Sequence, residues 1–306
     1  MTMVRNPSYW NAPRPYVDSL TFRPVIDENQ RANSFKAGEA QLLYTVSAAT
    51  VANNSKAYPT FAAPSINSAI VLFNFTRAPF NDPSIRTAVQ LAVDLDQINS
   101  TLFGGVYETP KGFFPSNYPY ADPSIVFPTP DLTQAQKSVD AYVAKTGSDL
   151  VFSFETANSQ QNQQLGQLLK AQIERLKRVT VNLKFVTANQ IVVDLQAKNY
   201  DSVSSVLNGV DPEPQFTETL LSNGSRNRMG YNSPAMDKAI ADSRAALDAP
   251  SRVQALKAAQ RIALDDMPIL VLNRSPIFWL TTPNMRDLDT FDEGGLLSDR
   301  IWVKTR

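Results

Sequence analysis

The chain has no cysteine and no histidine among its 306 residues. Without histidine it lacks the usual general base and the commonest protein ligand for metal ions. Catalytic sites of the Ser-His-Asp and Cys-His types are therefore excluded, together with thiol chemistry. The absence of cysteine fits an oxidising compartment, and it fits a cytosolic chain equally well.

An excess of charge of either sign is also missing, because 29 Lys and Arg balance 29 Asp and Glu. A chain without a basic surplus is a poor candidate for nucleic-acid binding. No apolar run approaches the length of a membrane span. The first residues, MTMVRNPSYW, lack the apolar region of a signal peptide, so we expect the targeting signal to be absent from this chain.

Catalytic and metal-binding motifs are not recognisable either. There is no phosphate loop, no G-x-G-x-x-G and no G-x-S-x-G. Residues 287–295 carry several acids, but their spacing departs from that of a calcium loop. We interpret three pairs of nearby carboxylates as solvated or capping residues: Asp94/Asp96, Asp265/Asp266 and Asp292/Glu293. The sequence therefore predicts no enzymatic activity, no cofactor and no metal site.

What the chain does have is a globular composition, with 43% apolar residues, and a regular alternation of strands and helices in its middle. Hydrophobic periodicity predicts strands at 150–155, 179–186 and 201–207, with helices at 161–177 and 189–197 between them. Such alternation implies right-handed crossovers and a mostly parallel sheet. The fold class expected is therefore α/β.

Outside this region the predicted elements depend on apolar runs and capping residues. Apolar runs predict strands at 20–26, 69–75 and 268–280. Asp82, followed by Pro83, predicts the start of one long helix that ends at Gly104. Further helices are predicted at 133–146, from Ser233-Pro234 onward, and at 251–265. A proline-rich stretch carries four aromatic residues that we expect to pack beneath the loop: Phe113, Phe114, Tyr118 and Tyr120.

Two polar stretches directly follow strands of the predicted sheet. LNGVDPEPQF (207–216) ends one strand, and SQQNQQ (159–164) begins the helix after another. Ligands of such sheets bind beyond the carboxyl ends of the strands, so both stretches could border one cleft. Each has a plainer interpretation, as an ordinary loop of turn residues and as a polar first turn of a helix. The residues alone leave both alternatives open.

Three longer stretches, in the same order and spread over nearly the whole chain, resemble the extracellular solute-binding proteins of family 5. These are the peptide/nickel/opine receptors of ABC importers. The stretches are NPSYWNAPRPYVDSLTFRPVIDENQRANSFKAGEAQL, FNFTRAPFNDPSIRTAVQLAVDLDQI and YNSPAMDKAIADSRAALDAPSRVQALKAAQRIALDDMPILVLN. The resemblance implies a periplasmic-binding-protein type II-like fold, with a mixed or mostly parallel sheet and flanking helices.

The resemblance also implies how such a protein works. Two lobes would close on a ligand by hinge motion, without catalysis. The partners would be a peptide or other small polar solute and a permease in the membrane. The location would be extracytoplasmic, in the periplasm or lipid-anchored at the cell surface. The alternative is a ligand-sensing or interaction domain of a larger regulator that uses the same fold.

In the family, the N-P-x-Y-W stretch lies well inside the protein, so this chain resembles a carboxy-terminal portion. Residues 1–75 would be a remnant of the first lobe, 76–267 the second lobe, and 268–306 the return to the first lobe. A remnant without its partner strands would expose sheet edges. We therefore expect the chain alone to self-associate or to bind its ligand weakly.

The resemblance places a ligand rim at 207–216. In peptide-binding members, an acid at this strand end holds the peptide's amino terminus, but the matching position here is Gly209 or Asn208. SQQNQQ likewise lacks the basic residue that dipeptide-type members use. Because unpaired charged termini are costly to bury, we expect a neutral solute, a modified peptide or a longer peptide. The predicted ligand-binding residues are Asn74, Gln160, Gln161, Leu207, Asn208, Gly209, Asp211 and Phe216.

Overall fold

The computed structural model describes residues 1–63, 65–209, 211–291 and 294–304. The chain folds into two compact units. Unit 1 contains Met1–Asn67, Asn208–Val210 and Ser275–Arg306, and unit 2 contains Ser68–Leu207 and Asp211–Arg274. The lobe boundaries expected after residues 75 and 267 stay a prediction. The carboxylate pair Asp292/Glu293 lies outside the described residues.

The described elements are short strands and helices of moderate length. The strands are β1 (Thr2–Val4), β2 (Ser19–Thr21), β3 (Leu42–Thr45), β4 (Thr60–Ala62), β5 (Ser68–Phe73), β6 (Leu150–Ala157), β7 (Val179–Val186), β8 (Ser202–Leu207), β9 (Ile269–Val271), β10 (Phe278–Thr281), β11 (Met285–Arg286) and β12 (Trp302–Val303). The helices are α1 (Glu28–Lys36), α2 (Ala48–Asn54), α3 (Pro83–Ala92), α4 (Leu95–Phe103), α5 (Leu132–Thr146), α6 (Gln160–Ile173), α7 (Ala188–Ala197), α8 (Gln215–Leu220), α9 (Pro234–Ala245) and α10 (Ala249–Asp266).

Unit 1 is built around a three-stranded antiparallel sheet in the order β3-β10-β4. Two further strand pairs, β1 with β2 and β11 with β12, are also antiparallel. The core of unit 1 contains the buried side chains of Phe35 in α1, Leu43 in β3 and Leu280 in β10. The side chains of Asp27 and Ser47 cap α1 and α2, because each accepts a hydrogen bond from a first-turn N–H.

Unit 2 contains a five-stranded sheet in the order β7-β6-β8-β5-β9. β6 pairs in parallel with β7 and β8, whereas β5 pairs antiparallel with β8 and β9. Helices flank the sheet, and the ring of Phe80 is fully buried 4.6 Å from that of Phe73 and 4.9 Å from that of Phe152. Of the expected mixed or mostly parallel sheet with flanking helices, the mixed form is confirmed, because two strand pairs are parallel and two are antiparallel.

Three predictions from periodicity were wrong in detail. The strand expected at 20–26 ends at Thr21, because β2 covers only Ser19–Thr21. The long helix expected from Asp82 is two helices, because Val93 is extended and Asp94 accepts the N–H of Gln97 as the cap of α4. The apolar run 268–280 is also two strands, β9 in unit 2 and β10 in unit 1. Between them, the side chains of Asn273 and Arg274 bond the first residues of β5.

A pair of buried carboxyl groups lies between β6 and α7. Glu155 is 2% exposed, and its Oε1 atom has no hydrogen-bond partner among the described residues. Asp194 is held by the amides of Gln190 and Asn199 at 2.8 and 3.3 Å. Burial, and then the charge of Asp194, raise the pKa of Glu155, and Lys184 opposes this only in part. Glu155 therefore stays neutral to a higher pH than an exposed glutamate would.

We predict that Glu155→Gln raises stability near neutral pH. A carboxyl group whose folded pKa is raised costs stability as pH rises from its unfolded pKa through its folded one, and an amide removes that loss. The gain should be about 1 kcal/mol, or roughly 2–4 °C in melting temperature. Thermal unfolding between about pH 4 and about pH 8 measures it.

Glu174→Gln is the matched control for this prediction. Burial would raise the pKa of Glu174, but hydrogen bonds from Lys170 and from the Val181 N–H outweigh it and lower the pKa. This substitution should therefore destabilise the protein near neutral pH. If the melting temperatures of wild type and Glu155→Gln changed with pH in the same way, the raised pKa of Glu155 would be contradicted.

Candidate functional site

The carboxyl ends of the three parallel strands form one edge of the unit 2 sheet. Ala157, the last residue of β6, pairs with Val186, the last residue of β7. Leu207 ends β8 and is buried. Gln160 and Gln161 begin α6 just after β6, so they lie at the same edge as Leu207. The structure therefore brings these three predicted residues to one side of the sheet.

Asn74 lies at the opposite edge of the same sheet. β5 runs antiparallel to β8, so that Ser68 pairs with Leu207 and Phe73 pairs with Ser202. These pairs are separated by five residue steps of about 3.3 Å, or roughly 16 Å along the strand. Asn74 follows Phe73, so it does not join the other predicted residues of unit 2.

The side-chain amide of Asn74 is fully used within unit 2. Its Nδ2 donates to the carbonyl oxygens of Lys198 and Tyr200 at 2.9 and 2.7 Å. Its Oδ1 accepts from the backbone N–H and the hydroxyl of Thr76 at 3.0 and 2.6 Å. Because the residue is also fully buried, it ties the end of β5 to the turn before β8.

Gln160 and Gln161 are exposed, and their amides have no hydrogen-bond partner in the part of unit 2 that the structure describes. Ser159 caps the helix by accepting the N–H of Asn162 at 3.3 Å. The first backbone N–H groups of a helix lack intrahelical partners and carry a partial positive charge. The start of α6 therefore offers amide donors and acceptors to a polar ligand.

Asn208 and Gly209 belong to unit 1. Asn208 is exposed, whereas Gly209 is buried with φ at 117°, a value that favours glycine. The N–H of Gly209 donates to Asn67 Oδ1 at 2.9 Å, and its carbonyl accepts the N–H of Ile66 at 2.7 Å. Gly209 therefore has its backbone hydrogen bonds within unit 1, and Asn208 is the more accessible of the two.

Asp211, in unit 2, is held by a fork of hydrogen bonds. Arg252 donates to its two carboxylate oxygens at 2.9 and 2.5 Å, and the Tyr120 hydroxyl donates at 3.1 Å. The N–H of Glu213 adds another bond at 2.9 Å. Burial alone would raise the pKa of Asp211, but the bonds from Arg252 and Glu213 outweigh it and lower the pKa. The acid nearest to the expected rim is therefore ionised and already paired.

Phe216 lies in the first turn of α8 and is completely buried. Its ring packs against those of Phe113 and Phe114, with centroid distances of 5.7 and 5.1 Å. Phe113 in turn contacts the ring of Phe127. The prediction that the aromatics of this stretch pack beneath the loop is confirmed for Phe113 and Phe114, whereas Tyr118 and Tyr120 are only partly buried. Phe216 completes the same aromatic cluster.

We predict that Asp211 and Arg252 stabilise the fold as a pair. Their side chains are 38% and 29% exposed, so solvent screening should limit the coupling energy to about 1 kcal/mol. Because the pKa of Asp211 is lowered, this stability should be present at neutral pH and lost as pH falls through the folded pKa. Chemical denaturation of Asp211→Asn, Arg252→Gln and the double variant measures it.

Asp149→Asn serves as the control, because Asp149 pairs with Arg178 and both side chains are about half exposed. Its loss should cost no more than about 0.5 kcal/mol. If the losses of unfolding free energy in the two single variants added up to the loss in the double variant, the two side chains would not stabilise the fold as a pair.

Neither a membrane-spanning helix nor a metal centre is evident in the described residues. No helix there combines the length and the apolar composition of a membrane span. No cluster of three or more acids in these residues is arranged to hold a metal ion.

Comparison with known proteins identifies relatives in sequence. The model of the bacterial extracellular solute-binding proteins, family 5 middle, matches residues 1–228. The glutathione-binding protein GsiB of Pectobacterium atrosepticum is 36% identical over 116 residues, which are 37% of this chain and 22% of that protein. The chain thus matches under a quarter of the length of this relative.

Solved structures show the same fold. NikA from Brucella suis, in complex with Fe(III)-EDTA, matches 99% of this chain and 65% of its own, with a TM-score of 0.85 and 19% identity. The substrate-binding protein CtaP from Listeria monocytogenes matches 99% of this chain and 63% of its own, also with a TM-score of 0.85 and 19% identity. At this identity the likeness concerns the fold alone, and it confirms the expected periplasmic-binding-protein type II-like architecture. Since the family model covers most of the sequence, the chain belongs to the bacterial extracellular solute-binding proteins of family 5.

Proposed function

We propose that the chain is a substrate-binding component of an ABC importer. It captures a peptide or other small polar solute by lobe closure, performs no catalysis and delivers the solute to a membrane permease. The family match over residues 1–228 carries this proposal. The family's extracellular character supports an extracytoplasmic location. The alternative, a sensing domain of a larger regulator, receives no support from the family or from the relatives.

The chemistry of the strand ends supports a solute that needs no carboxylate to anchor an amino terminus. Gln160 and Gln161 offer unpaired amides, whereas Asp211 is neutralised by Arg252. A modified peptide, or a longer one bound through its backbone, fits these groups better than a free dipeptide does. Glutathione is the first solute to test, because relatives of this chain are named for binding it.

We predict that glutathione or a longer peptide raises the melting temperature in a thermal-shift screen, and that simple dipeptides do not. Replacing both Gln160 and Gln161 with alanine should weaken binding of the active solute about tenfold by calorimetry, because two polar contacts are lost. Gln167→Ala is the control, since Gln167 is exposed on the same helix away from its first turn. Strong stabilisation by dipeptides that disappears in Asp211→Ala would overturn this proposal about the solute.

We further propose that the chain by itself self-associates through unit 1. β3 and β4 are the outer strands of their sheet, so each has one edge without a strand partner among the described residues. A groove of about 460 Å³ also lies between the segments that contain β2 and β3. Exposed strand edges of this kind pair readily with other chains.

The expected result is a concentration-dependent increase in mass by light scattering after size-exclusion chromatography. Ala62→Lys places a charge on exposed β4 and should reduce the association if that edge is used. Tyr44→Lys tests the β3 edge in the same way, because Tyr44 is 42% exposed. A monomer at every concentration that binds its solute tightly would exclude this behaviour.

A further inference from the structure

Two arginines of unit 2 differ from all the others in that unit. Eight of its ten arginines donate a side-chain hydrogen bond or form an ion pair: Arg77, Arg86, Arg175, Arg178, Arg244, Arg252, Arg261 and Arg274. Arg226 and Arg228 do neither within the described residues, and both are exposed. A guanidinium group without a carboxylate partner is available to bind an anion in a two-pronged manner.

The segment that carries these two arginines is held firmly. The amide of Asn227 donates to the carbonyl oxygens of Leu221, Ser222 and Tyr231. Its oxygen accepts the N–H groups of Met229, Gly230 and Tyr231. An amide with this many backbone partners fixes the turn, so the side chains on either side of it start from defined positions.

The backbone that follows Asn227, at residues 228–230, is also held by hydrogen bonds and close packing. The hydroxyl of the buried Tyr200 donates to the Arg228 carbonyl at 2.9 Å, and the N–H of Phe75 donates to the Met229 carbonyl at the same distance. Gly230 has φ at 71°, and a Cβ atom there would lie 2.4 Å from Thr76 Cγ2. This part of the chain is therefore preorganised, which lowers the cost of binding.

Both arginines line one cavity of about 210 Å³ on a face of the unit 2 sheet. Ile70 and Leu72 of β5 form an apolar part of its lining, and Val192 and Leu195 of α7 form another. Val192 is 52% exposed, so apolar surface is accessible at the opening of the cavity. The cavity therefore combines two unpaired cations with a hydrocarbon surface.

None of the described residues that line the cavity is acidic, so its positive charge is not neutralised there. Asp194 is the only acid of α7, and it is buried and bonded to Gln190 and Asn199 instead of lining the cavity. Glu218 of α8 is paired with Arg244 and accepts from Ser225. The uncharged polar groups that line the cavity are Gln196, Ser205 and Thr219.

We propose that this cavity binds the acidic group of a solute, with Arg226 and Arg228 holding the anion and the apolar wall holding a short hydrocarbon part. The inference rests on the proposed function for its choice of a solute as the ligand. The sequence predicts a neutral solute, a modified peptide or a longer peptide, whereas this cavity favours a solute that carries an acidic group. A carboxylate that loses part of its water on binding is stabilised more strongly by two guanidinium groups than by amides, because hydrogen bonds between charged partners are stronger.

Hexanoate tests the pocket directly, because it has one carboxylate and a short hydrocarbon chain. Calorimetry should detect its binding to the wild-type chain, with acetate and 1-hexanol each at least about tenfold weaker, since each lacks half of the interaction. The Arg226→Gln, Arg228→Gln double variant should lose hexanoate binding by about tenfold or more. Val192→Ser should weaken hexanoate several-fold without changing the affinity for acetate.

Arg261→Gln is the control variant, because Arg261 is also exposed in unit 2 but does not line the cavity. It should bind hexanoate as the wild type does, and unchanged melting temperatures establish that the variants fold. Equal hexanoate binding by wild type and the double arginine variant would overturn the proposal. Glutathione binding that is unaffected by the double variant would show that glutathione binds elsewhere, which leaves the solute-binding function standing. Loss of hexanoate binding in the double variant supports the pocket even if no peptide binds.

Discussion

The antiparallel pairing of β5 with β8 is the constraint on which the arrangement of unit 2 depends. It places Ser68 beside Leu207, and β9 then returns along β5 to end near the same edge. The chain crosses between the units after Asn67, Leu207 and Arg274. Each of these three crossings therefore enters or leaves unit 2 at the same edge of its sheet. The register of this strand pair therefore decides at which edge the polar loop after β8 lies, and the parallel pairing of β6 with β8 brings the loop after β6 to the same edge.

A buried cation reinforces this edge. Arg274 donates to Ser68 Oγ at 2.6 Å and to the carbonyl oxygen of Gly112 at 2.5 Å. Burial lowers its pKa to about 10, and the charge of Glu108 partly opposes this effect, so the group is still charged at neutral pH. A guanidinium group bonded to neutral oxygens costs desolvation energy, which only well-placed partners offset. Removing either partner would leave a buried charge poorly satisfied.

Local signals predicted the helices and parallel strands well, and long-range pairing accounts for what they missed. β7 spans the predicted residues 179–186, because its alternation is a property of adjacent residues. The position of Asn74 depends on the direction of β5, which is set by a strand more than a hundred residues away. Likewise, nothing in the sequence around Asp211 indicated that Arg252 would pair with it and that Tyr120 would donate a hydrogen bond to it. Arg226 and Arg228 had a weak signal in NGSRNRMGY, where two arginines flank a turn-forming asparagine.

The balance of charges in the whole chain says little about the charge available to a ligand. The chain has equal numbers of acidic and basic residues, and the expectation of a neutral solute, a modified peptide or a longer peptide came from the charges missing at 207–216 and in SQQNQQ. In unit 2, however, Asp201 pairs with Arg77, Asp211 with Arg252, and Glu213 and Glu218 with Arg244. Such pairing removes carboxylates from contact with a ligand and leaves Arg226 and Arg228 unmatched. Specificity for an anion can therefore arise in a chain without net charge, because what counts is which charges have no partner.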